Sequence, residues 1–67
     1  MDVIETAIKG YETEKMIDSM DNKVVKGMAI DILNARFDGN PFRRSDLTMR
    51  EARNVLYHAV MVDGYQL

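Results

Sequence analysis

One segment near the end of the chain is bounded at both ends by helix signals, and it restricts the fold more than any other. Thr48-Met49-Arg50-Glu51 has the spacing of a capping box. In that motif the Thr48 hydroxyl accepts from the N–H of Glu51, and the Glu51 carboxylate accepts from the N–H of Thr48. Gly64 supplies the left-handed residue that closes a helix, and Tyr65 is placed to fold back on Val60 as a Schellman contact. Between these caps Ala52, Val55, Leu56, Ala59 and Val60 recur at i, i+3, i+4, i+7, i+8, the apolar stripe of a helix that packs on a core. Asp63 sits at the end of the dipole that disfavours a carboxylate. A second, mixed face carries Arg50, Asn54, Tyr57 and Met61.

A first helix is predicted to open on Asp2 as N-cap, with Glu5 three residues on. Val3, Ile4, Ala7, Ile8 and Tyr11 form its first stripe. After Tyr11 the pattern changes phase, and Met16, Ile17 and Met20 fall on nearly the opposite side. Either the helix breaks near Gly10 or it is continuous and buries two faces. Glu12, Glu14 and Lys15 are good helix formers and favour continuity.

Ser19, Asp21 and Asn22 prefer caps to helix interiors and mark a turn. The second helix is predicted over residues 23–38, with Val24, Val25, Met28, Ala29, Ile32 and Leu33 as its main stripe and Ile30 and Phe37 beside it. Gly27, inside it, would admit another backbone at close range. Gly39 and Pro41 stop this helix, and Phe42 is expected to plug the open end of the core. No strand-like alternation of useful length occurs. The expected fold is all-α, a small three-helix bundle made of a helical hairpin and a third capped helix, with residues 1–67 as one domain.

At 67 residues the core must be small, and chains of this size often depend on a staple or a partner. With no cysteine there is no disulfide or thiolate metal site, and a single histidine makes a zinc site a poor fit. No metal or cofactor is expected. The lack of cysteine suits a cytoplasmic protein, no apolar run reaches the ~20 residues of a membrane span, and no signal peptide is visible. The expectation is a complete small gene product.

Catalysis finds little support. His58 stands beside the third helix's core stripe without an evident acid–base partner. The acidic residues Glu12, Glu14, Asp18 and Asp21 offer at most the pair Glu14/Asp18 at helical spacing, too few oxygens for magnesium or calcium. No phosphate-binding loop or hydrolase motif occurs.

Arginine placement is the most suggestive polar feature. Arg36, Arg43, Arg44, Arg50 and Arg53 all lie between positions 36 and 53, against Asp38, Asp46 and Glu51, while every lysine precedes position 27. Arginine forks suit phosphates and carboxylates. The bland reading is a solvated loop whose arginines pair with those three acids. A helix-turn-helix joins its helices by ~3–4 residues, and the proline-containing gap before the third helix is too long for that.

The expected function is therefore a non-enzymatic protein–protein interaction module, a regulator or inhibitor that binds a larger partner protein, self-associates, or both. Arg43, Arg44, Arg50, Tyr57 and Met61 are the expected partner-binding residues, since hot spots favour arginine and aromatic side chains. Met16, Ile17, Met20, Ile30 and Phe37 are the expected self-association surface, most simply of a dimer. On that reading a charge at Ile17 or Ile30 yields a soluble monomer. The alternative is a nucleic-acid-binding regulator that uses the Arg36–Arg53 patch; the net charge of −2 for the chain argues against bulk binding of that kind.

Overall fold

The computed structural model describes residues 2–37, Gly39 and 42–67. Three helices, α1 (Val3–Asp18), α2 (Asn22–Arg36) and α3 (Met49–Asp63), are joined by a tight turn and by a longer connection carrying a single 3₁₀ turn at Arg44–Asp46. The fold is the all-α three-helix arrangement expected, with no strand among the described residues.

The caps form as their chemistry dictates. Asp2 accepts from the Ile4 N–H at 3.2 Å, and Asp21 from the Lys23 N–H at 2.9 Å. At α3 both arms of the capping box close: the Thr48 N–H donates to Glu51 Oε1 at 3.0 Å, and the Glu51 N–H donates to Thr48 Oγ1 at 3.1 Å. The far end of α3 closes on Gly64 at φ 73°, and the Tyr65 N–H donates to the Ala59 carbonyl at 3.0 Å. The Gly64 N–H also donates to the Ala59 carbonyl, so one carbonyl of the last turn is satisfied twice as the chain leaves the helix. Asp63, misplaced against the dipole, is held by the Arg36 guanidinium.

Helix α1 runs through Gly10 without a break. Helix α2 stops earlier than its apolar pattern implies. Phe37 is already extended at φ −114°, ψ 125°, so Gly39 at φ 128° shapes the loop rather than capping the helix. The expected stop at Pro41 and the expected pairing of Asp38 lie outside the described residues.

The ion pair Arg36–Asp63 joins the C-terminal ends of α2 and α3, and Val25 and Ala29 pack with Ala52 and Leu56 further back along both helices. Helices α2 and α3 therefore run parallel. A parallel pair needs a connection that retraces a helix length, which explains why residues 37–48 are too long for a simple turn. The 3₁₀ turn lies alongside α2 on that return path, where Lys26 Nζ donates to the Arg44 carbonyl at 3.5 Å. Helix α1 runs antiparallel to α3: Asp18 faces Arg53 near the start of α3, and Gly10 faces Tyr57 and Met61 further along.

Helix α3 is thus the central element, covered by α2 on one side and α1 on the other. Ile17, Val25, Ala29, Ala52, Leu56 and Ala59 are buried. Half of these are alanines, which bring the helix axes close but bury little apolar area. Met20, Met28, Ile32, Leu47, Met49, Val55 and Tyr57 pack around them. The open end of the core is closed by Leu47 and Met49. Phe42, expected there, is half-buried against Phe37 instead, with ring centroids 6.1 Å apart.

Candidate interaction surface on the first helix

The α1–α3 seam is not made by the apolar stripe of α1. Gly10, Thr13 and Ile17 face inward. Gly10 has no Cβ, and the Tyr57 hydroxyl occupies the space one would take: an added Cβ would lie 2.7 Å from it. Thr13 is buried because its hydroxyl is satisfied within the seam, donating to the Lys9 carbonyl at 2.7 Å and lying 3.6 Å from Met61 Sδ. A small residue and a self-satisfied hydroxyl let two helices meet closely where no apolar periodicity would announce it.

The consequence is on the other side of the helix. Val3, Ala7 and Tyr11 recur every four residues, about a third of a turn around α1 from the buried face. With Ile4 and Ile8 they form a stripe that none of the described residues covers: Val3 is 82% exposed, Ile4 66%, Ile8 52% and Tyr11 60%. Lys15 extends the flank of this stripe, its Nζ 5.1 Å from the centroid of the Tyr11 ring. The stripe was legible in the sequence as a core face; it is instead the main exposed apolar face of α1.

The residues expected to bind partners divide accordingly. Tyr57 and Met61, expected on an outer face of α3, are half-buried beneath α1, because a central helix has both faces in use. Arg50 lines a shallow groove between α1 and α3 with Glu14, Asp18 and Arg53. Arg43 is exposed, its backbone N–H donating to Asp46 at 2.8 Å, and the Arg44 guanidinium lies over Gly27. Gly27 therefore admits a side chain rather than a backbone.

The residues expected to self-associate are divided as well. Ile17 is only 3% exposed and belongs to the core, and Met20 packs against that core. Ile30 is half-buried; Met16 and Phe37 are exposed but lie on different helices, Phe37 beside Phe42. These five do not make one surface, because the phase change after Tyr11 marks which face turns inward, and it is the later one.

Nor do the arginines converge. Arg36 pairs with Asp63 at the far end of α2, Arg53 lies 4.0 Å from Asp18 on α1, and Arg44 rests on α2. Their partners are not Asp46 and Glu51, whose carboxylates accept from backbone N–H groups. The Thr48 backbone N–H and then the Thr48 side chain hold the Glu51 carboxyl below the ordinary glutamate value. His58 is exposed at a groove edge with Asn54, Val55 and Asp63. Among the described residues no three acidic or imidazole side chains gather closely enough to hold a metal ion, and no helix is long and apolar enough to cross a membrane.

Comparison with known protein families, with curated proteins and with solved structures finds no match to this chain.

Proposed function

We propose that this protein is a non-catalytic interaction module that works by covering or bridging protein surfaces through the exposed face of α1. The observation that carries this reading is the uncovered stripe Val3, Ile4, Ala7, Ile8 and Tyr11. Scattered exposed apolar residues need no explanation, but a contiguous row on one helix does. An amphipathic helix that presents anchors at i, i+4 and i+7 has the form used to dock on apolar grooves of other proteins. The small, alanine-rich core fits the same reading, since a domain with little buried area gains stability from whatever it binds.

The test is capture from a lysate of the source organism with the protein and with its Ile4→Glu/Ile8→Glu variant, each with and without nuclease. The reading expects protein retained at fixed stoichiometry, unaffected by nuclease and lost with the variant while the variant keeps its helical circular dichroism. Retention that is equal for both proteins, or that vanishes with nuclease, refutes it.

A further inference from the structure

We propose that the outer face of α2, with the segment 42–46 that lies along it, binds single-stranded nucleic acid. This is a second surface, and it does not depend on the stripe of α1. The return path between α2 and α3 builds it. The Phe42 N–H donates to Asn34 Oδ1 at 2.7 Å near the end of α2, and Lys26 Nζ donates to the Arg44 carbonyl at 3.5 Å near its start. The Arg44 guanidinium reaches across Gly27, 3.5 Å from where a Cβ would stand. Segment and helix therefore run side by side, and lysines and arginines far apart in the sequence become neighbours.

Lys23, Lys26, Arg43 and Arg44 gather at one end of this track. None of the four pairs with a described carboxylate, since the ion pairs among the described residues are Arg36–Asp63 and Arg53–Asp18. The two acids beside them are engaged by the backbone: Asp21 accepts from the Lys23 N–H and Asp46 from the Arg43 N–H. The first turn of α2 adds the positive end of its dipole. The acid that makes the chain negative lies elsewhere. From Asp2 to Asp18 there are five carboxylates and two lysines, and α3 stands between α1 and α2.

The aromatic side chains at the other end select the partner. Phe37 is 55% exposed and lies against Phe42. At the rise of a helix it stands about 20 Å from Lys23. An acidic peptide or a free phosphate would engage the cations and leave the rings in water. A polynucleotide uses both, with phosphates on lysine and arginine and a base stacked on phenylalanine. The strand must be single, because stacking on Phe37 needs an unpaired base. Segment 42–46 also covers the face of α2 that would otherwise enter a major groove.

Fluorescence anisotropy of a labelled oligothymidylate and a labelled oligouridylate tests this. Each is titrated at several salt concentrations with the unmodified protein, with Lys26→Ala/Arg44→Ala and with Phe37→Ala. The expected result is binding of one or both at low salt, with log K falling against log salt at a slope of about −2 to −3, as ~3–4 phosphate contacts give. Lys26→Ala/Arg44→Ala should weaken binding and make the slope shallower by about 1. Phe37→Ala should weaken binding about tenfold and leave the slope unchanged. If Lys26→Ala/Arg44→Ala loses its helical circular dichroism, Lys23→Ala/Arg43→Ala takes its place, both positions being exposed. No binding at low salt overturns the proposal. So does equal affinity for polyglutamate or for the duplex, or indifference to Phe37→Ala.

Discussion

Replacing Gly10 with alanine sets two effects of opposite sign against each other. In a helix interior alanine is favoured over glycine by ~0.8–1.0 kcal/mol. Against this, the added Cβ would lie 2.7 Å from the Tyr57 hydroxyl, with Met61 Cε next at 3.7 Å. Overpacking of this kind costs ~1–3 kcal/mol when the neighbour must move. The net expectation is a loss of ~0–2 kcal/mol. Removing the hydroxyl reverses the sign. In a Tyr57→Phe background the nearest ring atom is Cζ, 3.8 Å away, which is ordinary contact. There Gly10→Ala should stabilise by nearly the full propensity term, about 4–8 °C in Tm for a domain of this size. A double-mutant cycle by urea denaturation at fixed protein concentration, followed by circular dichroism, measures the coupling directly. Equal stabilisation of ~1 kcal/mol in both backgrounds would show that Tyr57 does not rest on Gly10, and would refute the close seam between α1 and α3.

Leu56 is fully buried at the centre of α3, and truncation of such a leucine costs ~2–5 kcal/mol. A chain of this length has only ~3–10 kcal/mol in total, so Leu56→Ala should lower Tm by at least ~8 °C or abolish the cooperative transition; a shift of a degree or two in a thermal scan would contradict the small core described. Thr48→Ala should cost ~0.5–2 kcal/mol, as losses of N-caps do. It should also raise the Glu51 carboxyl toward its ordinary value, visible in an NMR titration of its side chain. The folded state prefers ionised Glu51, so its contribution to stability is present above the ordinary carboxylate range and is lost as pH falls through the lowered folded value. Glu51→Gln should accordingly flatten the acid side of the stability profile, and an unchanged profile would count against the capping box.

The parts of the fold that were legible in the sequence are those specified by local chemistry. Thr48, Glu51 and Gly64 determine both ends of α3 through hydrogen bonds within a few residues, and Asp2 and Asp21 do the same for α1 and α2. Apolar periodicity also located Val25, Ala29, Ala52, Leu56 and Ala59 correctly as core. It failed on α1, where two stripes compete and the longer one stays outside. Which face turns inward is decided by fit against α3, and the fit uses Gly10 and Thr13, neither of which registers on a hydrophobic scale. Thr13 could have been found by asking which polar helix residue can bond back to the carbonyl four positions earlier. The mixed face of α3 is visible in the sequence, but nothing local signals that α3 is central and that Tyr57 and Met61 lie beneath α1. The end of α2 is hidden for a related reason: Phe37 prolongs the apolar pattern, yet it pairs with Phe42 from an extended backbone.

The central claim is that α1 turns Gly10, Thr13 and Ile17 toward α3 and leaves Val3, Ile4, Ile8 and Tyr11 free for another protein surface. Charge placed on each face in turn tests it most directly, with Ile17→Glu and Ile8→Glu compared by circular dichroism and urea denaturation at the same concentration. The structure predicts that Ile17→Glu, which buries a carboxylate in the core, loses the folded state. Ile8→Glu should keep its helical signal and a cooperative transition, and lose only the contribution of whatever covers α1. A folded Ile17→Glu beside an unfolded Ile8→Glu would mean that α1 is turned the other way, and the proposed interaction surface would then belong to the core.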